Sequence, residues 1–221
     1  MIDLETLAVT ADACILSIGA VKFNQTEICE EAFYQNVVAK NQLERVIDPE
    51  TLTWWTQQSK AARDALKPNQ IDLNEALHKF ERFFDHPDYL VWSNGASFDI
   101  PMLIHAWGRV LGAKPPWKYS NERCFRTMKS RPYAPKRIGV TSHNALDDAI
   151  AQIQHLQMIL AAEREACDIL LKYATLLETQ PIAWAVYDIK FGGSVSLHLN
   201  EFHCPNGDET RFKAVALIPR P

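Results

Sequence analysis

Residues 144–180 contain neither glycine nor proline, and Leu146, Ile150, Ile153, Leu156 and Leu160 recur among them at helical spacing. So long a run without a breaker predicts one or two helices, whose apolar stripe must be buried against another element. Candidates for that partner lie upstream. Residues 2–7 and 15–23, the second reading Ile-Leu-Ser-Ile-Gly-Ala-Val-Lys-Phe, have strand character, and 32–38 predict a third strand in an antiparallel meander. Asp48-Pro49 starts a short helix carrying Leu52, Trp54 and Trp55, with an N-cap followed by proline at the first helical position. Asp72 and Glu75 form a capping box, after which Leu73, Ala76, Leu77, Phe80, Phe83 and Phe84 make one buried stripe. A short strand over 89–92 breaks at Asn94-Gly95. Ser97 is then placed to cap a helix carrying Leu103, Ile104, Trp107 and Leu111, with Asp99 in its first turn. Strands followed by alternating helices and strands indicate an α/β architecture.

After Pro181 the period changes to two. Trp184 and Val186 lead to a Gly192-Gly193 turn, Val195, Leu197 and Leu199 alternate with polar residues, and Asn206-Gly207 has the composition of a hairpin turn. These features predict a main domain over 1–165, a helical extension over 166–182 and a small C-terminal β-meander of three strands over 183–221. So small an appendage buries too little surface to stand alone. His198, His203 and Cys204 offer metal donors, but the two histidines are an odd number apart and point to opposite faces of a regular strand, so chance clustering is the simpler reading.

Charge is uneven. The net charge is −4, yet residues 113–142 hold Lys114, Lys118, Arg123, Arg126, Lys129, Arg131, Lys136 and Arg137 against the single acid Glu122. Trp117, Tyr119, Phe125 and Tyr133 are interleaved, and Pro115, Pro116, Pro132 and Pro135 make this stretch a loop. Cations alternating with aromatic rings suit a single-stranded polyanion with exposed bases, although a solvated loop has the same composition. A hydrophobic fraction of 47% excludes a disordered or collagenous chain. No apolar run reaches the roughly 20 residues of a membrane span. The opening Met1-Ile2-Asp3-Leu4-Glu5 has acids where a signal peptide is basic, so a cytoplasmic protein is expected. Five scattered cysteines without a Cys-x-x-Cys pair fit that compartment and argue against a disulfide framework or a four-cysteine zinc site.

The chemistry is carried by acids. Asp3 and Glu5 are two apart on a strand, so both carboxylates point to one face, and two anions beside a core strand are costly unless something positive joins them. Alone, such a pair is commonplace at a strand end. Here Asn94-x-x-x-Phe98-Asp99 adds a third carboxylate at a helix start, and His143-x-x-x-x-Asp148 adds a histidine and a fourth. Asp147 is adjacent to Asp148, and helical periodicity does not choose between them.

In order and rough spacing, these three motifs resemble the DEDDh 3′-5′ exonucleases, the family of ribonuclease T, oligoribonuclease and the polymerase III proofreading subunit. The wording Met-Ile-Asp-Leu-Glu-Thr-Leu, with Asp-Pro-Glu-Thr-Leu-Thr-Trp-Trp, is similar to a bacterial and phage branch that includes a mycobacterial 3′-5′ exoribonuclease and prophage exodeoxyribonuclease VIII-like proteins. The resemblance covers about residues 1–165. It implies a ribonuclease H-like fold with a mixed central sheet flanked by helices. It further implies hydrolysis of phosphodiesters at the 3′ end of single-stranded DNA or RNA, releasing nucleoside monophosphates. By the same resemblance Asp3, Glu5, Asp99 and Asp148 hold two Mg²⁺ (or Mn²⁺) ions and His143 is the general base, a task suited to histidine's ordinary pKa of about 6.5. Thr6 and Leu7 are candidates for touching the terminal nucleotide, and Phe98, Trp54 and Trp55 either stack on a base or pack in the core. Arg123 and Arg126 either hold a phosphate or pair with surface acids. Homodimers occur in resembling families, and a homodimer is a possible state here. A non-catalytic nucleic-acid-binding subunit is the alternative, at odds with the intact acids. A glycosidase explains neither His143 nor the basic stretch.

Overall fold

The computed structural model describes residues 1–95, 97–131, 134–136, 143–176, 183–188, 195–199 and 212–216, with side chains to residue 171. Two compact units divide the chain, Met1–Leu160 and Ala161–Pro221.

In the first unit, β1 (Ile2–Thr6), β2 (Ile15–Phe23) and β3 (Ile28–Asn36) form an antiparallel sheet in that order. β3 begins earlier than the apolar pattern predicts because Asn24 closes a tight hairpin. Its Oδ1 accepts from Thr26 N and Glu27 N, both at 2.8 Å, and the polar residues that follow pair as an exposed edge. Cross-strand pairing sets Asp3 opposite Gly19 and Glu5 opposite Ser17. The sheet therefore has two faces. Ile2, Leu4, Ile18 and Ala20 pack with the stripe of α3 (Leu73–Phe83) and with α4 (Asp99–Ala106). Met1 and Val21 face α6 (Ala145–Leu176) on the other side, meeting Ala149, Ile153, Leu156 and Ile159.

β4 (Val91–Ser93) runs beside β1 and pairs in parallel with β5 (Glu122–Cys124). Among the described residues the strands thus form two sheets, antiparallel β1-β2-β3 and parallel β4-β5, lying side by side rather than joined in the one mixed sheet expected. α1 (Pro49–Gln57) starts as Asp48-Pro49 predicts, with Asp48 accepting from Thr51 N at 3.0 Å and Glu50 N at 3.4 Å. α2 (Lys60–Ala65) follows. Two expected caps are absent. Asp72 makes no cap bond because the Asn41 amide takes its carboxylate, and the N-cap residue of α4 is Phe98, leaving Ser97 exposed one position too early.

Glycine at position 19 is required by close approach. A Cβ there would lie 2.3 Å from the Ala145 carbonyl carbon and 2.5 Å from Leu146 N, so the first turn of α6 touches β2 backbone to backbone. Gly19→Ala is expected to lower stability by about 1–3 kcal/mol, the usual cost of overpacking. It should also reduce activity, because α6 carries Asp148. Thermal unfolding and turnover, measured on the same preparation, check both effects.

In the second unit, β6 (Ala183–Asp188), β7 (Val195–Leu199) and β8 (Phe212–Ala216) form a sheet in the order β7-β6-β8. This corrects the expected meander. Both outer strands are antiparallel to β6 and therefore parallel to one another, so no hairpin joins β7 to β8. β7 and β8 lie on opposite edges of β6. The Gly192-Gly193 and Asn206-Gly207 turns, His203 and Cys204 lie outside the described residues, as does the His198 side chain.

Candidate active site

Period two on β1 turns Asp3 and Glu5 to the same side, the face covered by α6. Glu5 is 7% exposed and Asp3 is partly buried. Asp99, the first residue of α4, is 2% exposed, and its Oδ1 accepts from Leu4 N at 3.1 Å. That main-chain donor sits on the β1 edge beside β4, and the carboxylate satisfies it in place of a strand partner. Asp148 is buried in α6, whereas Asp147 is exposed. Asn144 caps this helix, its Oδ1 accepting from Leu146 N at 3.0 Å and Asp147 N at 3.2 Å. His143, immediately before the cap, has the left-handed φ of 54°, and its backbone N–H donates to Asp148 Oδ2 at 3.0 Å.

Glu5, His143 and Asp148 present ligand atoms within 4.8 Å of one another. With Asp3 they line a cavity of about 300 Å³. Burial, with repulsion from Asp99 and Glu5, raises the Asp3 carboxyl well above the ordinary carboxylate range. Glu5 is pushed up to about 8, by burial first and then by Asp148 and Asp99. Asp99 is raised by burial to about 7, against the Leu4 N–H bond and the Arg126 charge, which pull it down. Such a cluster needs protons or a cation. Oxygen donors with one imidazole at the rim fit a hard divalent ion such as Mg²⁺ or Mn²⁺.

A pH dependence follows. Because the folded pKa values of Glu5 and Asp99 exceed their ordinary 4.5 and 3.8, the metal-free fold binds more protons than the unfolded chain. These groups therefore cost stability as pH rises from the ordinary values through about 7 and 8. The Met1 amine, lowered by burial to about 5, acts in the opposite sense over part of that window. The diagnostic is thus the difference between metal and EDTA. The rise in melting temperature caused by Mn²⁺ is expected to grow from pH 5 to pH 8, as the cation stops competing with protons. Paired thermal scans would check it.

The weaker candidates separate. Thr6 is buried: its hydroxyl donates to Ala8 O at 2.7 Å and its carbonyl accepts from Trp55 Nε1 at 2.9 Å. Leu7 N donates to Cys14 O at 2.8 Å. Phe98 packs against the first core. Arg126 reaches the edge of the site, donating to Asn94 O at 2.9 Å above Gly95, whose φ of 151° suits glycine. Arg123, on β5, instead donates to Ser120 O at 2.7 Å and Glu122 O at 2.9 Å, and it does not line the cavity. Trp54 and Trp55 hold the His143 ring edge-on, with centroids 4.9 and 6.4 Å away.

Sequence reasoning missed Gln152, His155 and Lys129, which also line the cavity. Gln152 Nε2 donates to Asp3 Oδ1 at 2.7 Å. His155 Nε2 lies 2.7 Å from Pro135 O, so that nitrogen carries the proton. Lys129 Nζ sits 5.5 Å from the Phe125 ring centroid. A signal was present: Asp148, Gln152 and His155 are spaced i, i+4, i+7 and form a buried polar stripe on one flank of α6. An apolar stripe of Leu146, Ile150 and Ile153 would leave Asp148 roughly opposite the core. The core stripe instead uses Ala145 and Ala149 and leaves Leu146 and Ile150 only partly buried, a rotation that turns Asp148 into the cavity.

Clustered acids and a histidine in one cavity of an α/β fold are what a metal-dependent nuclease requires, and residues 1–160 match the model of the 3′-5′ exoribonuclease Rv2179c-like domain. The chain belongs to that family and is a 3′-5′ exonuclease. An exodeoxyribonuclease of enterobacteria phage T4 is 24% identical over 215 residues, covering 76% of this chain and 95% of the phage protein. A solved structure of SSB/exonuclease I in complex with the inhibitor CFAM superposes with a TM-score of 0.54 at 12% identity, covering 84% of this chain. The match spans 48% of that chain, about half its length, and establishes the ribonuclease H-like fold alone. Among the described residues, no helix is long and apolar enough to cross a membrane.

Proposed function

We propose that the protein removes nucleoside monophosphates from the 3′ end of single-stranded nucleic acid, with an exonuclease domain over 1–165. The observation that carries this reading is the convergence of Glu5, His143 and Asp148 within 4.8 Å, beside Asp3 and Asp99, in a chain of exonuclease family. Asp3, Glu5, Asp99 and Asp148 are the residues to hold two divalent ions. When bound, such a pair activates the attacking water and stabilises the leaving 3′ oxygen.

His143 takes the proton of the attacking water. Its ring is oriented by Trp54 and Trp55, and its backbone is tied to Asp148, so base and ligand share one rigid segment. Arg126, at the edge of the site, and Lys129, at the cavity, supply positive charge for the phosphates of the strand. The family is described as exoribonuclease and the phage relative as exodeoxyribonuclease, so both sugars belong in the test.

Single-stranded RNA and DNA of one sequence, labelled at the 5′ end, are incubated with Mg²⁺, Mn²⁺ or EDTA and resolved on a gel. A ladder shortening from the 3′ end, present with metal and absent in EDTA, is expected, and the faster strand identifies the preferred sugar. Shortening that persists in EDTA, or fails on both strands, would overturn the reading.

A further inference from the structure

Gln152 is 4% exposed, and its amide donates to Asp3 Oδ1 at 2.7 Å. The sense of this amide is fixed by chemistry. With a cation bound the Asp3 carboxylate is ionised and only accepts, so Nε2 faces Asp3, as in the bond described, and Oε1 faces away. That oxygen is buried with no hydrogen-bond partner among the described residues. Packing alone gives no reason for the group, since an apolar side chain of the same length would fill the space without orphaning an acceptor. The amide therefore has to be explained by what it does to Asp3.

Two features of the site indicate that role. Gln152 is one helical turn beyond Asp148 on α6, so the helix that supplies one carboxylate also orients another, lying on a different element. In addition, the tight cluster of ligand atoms contains Glu5, His143 and Asp148 but not Asp3, whose Oδ1 is held toward α6. We propose that Gln152 is the positioning residue for Asp3: its amide occupies Oδ1 and presents the other carboxylate oxygen to the divalent cation, an inference that rests on the metal-dependent reading above. Partners that orient metal-binding side chains commonly account for 10–100-fold in metal affinity.

The test compares wild type with Gln152→Met, which keeps length and apolar packing but has no amide. Gln152→Ala is the second variant should the first fail to fold. Free Mn²⁺ is followed by electron paramagnetic resonance during titration, and melting is recorded in EDTA. About 10–100-fold weaker Mn²⁺ binding is expected, with a metal-free melting temperature at or above that of wild type. A purely structural role would lower melting and leave the affinity unchanged. Wild-type or tighter Mn²⁺ affinity in a folded variant overturns the proposal alone, whereas absence of Mn²⁺ binding by wild type overturns it together with the metal-dependent reading.

Discussion

Asp99→Asn is expected to reduce turnover at least about 10³-fold while the protein stays folded, because one of the four carboxylates proposed to hold the cations loses its charge and each tenfold corresponds to about 1.4 kcal/mol of transition-state stabilisation. Retention of the fold has a specific basis. The asparagine Oδ1 can still accept from Leu4 N, the bond that Asp99 makes at 3.1 Å on the β1 edge. Burial raises the Asp99 carboxyl to about 7, so the wild-type group is charged and repelled by its neighbours at pH 8 without metal. The variant should then melt no lower than wild type in EDTA at pH 8, and higher if that repulsion dominates. Single-turnover rates and thermal scans on one preparation decide the matter. Undiminished hydrolysis would remove Asp99 from the site, and a collapsed melting temperature would make its role structural.

His143→Asn should lower turnover by about 10²–10⁴-fold, the usual contribution of a positioned general base. Asparagine is the appropriate replacement because residue 143 has a φ of 54°, which asparagine tolerates and alanine does not. The bond from its backbone N–H to Asp148 Oδ2 is independent of the side chain and should survive. Mn²⁺ affinity is therefore expected to stay close to that of wild type. This measurement separates two roles that the geometry places side by side, since the His143 ring also belongs to the group of ligand atoms within 4.8 Å. Affinity lost together with turnover would make His143 a ligand and leave proton transfer to another group.

Much of the site can be read from local rules. Asp3 and Glu5 share a face because a strand alternates, and Asp99 opens a helix because a strand and a turn end just before it. Other features could not be read this way. Arg123 and Arg126 are equivalent as letters in one basic stretch, yet Arg123 is spent on the carbonyls of Ser120 and Glu122 while Arg126 crosses to Asn94. Trp54 and Trp55 read equally well as core or as base platforms, and their contact with His143 joins segments almost ninety residues apart.

The sequence by itself determined the candidate set: four carboxylates, a histidine, their order, and the strand and helix periods that aim most of them. Asp148 is chosen over Asp147 by family resemblance and not by helical periodicity; tertiary structure shows Asp148 buried and Asp147 exposed, and brought in Gln152 and His155. The physical reason is the rotation of α6 about its axis. Close approach at Gly19 brings the first turn of the helix against β2, and Ala149, Ile153, Leu156 and Ile159 form its buried face. The same holds for the β7-β6-β8 order, because which edge of β6 receives β8 depends on pairing between distant strands, to which no local pattern refers.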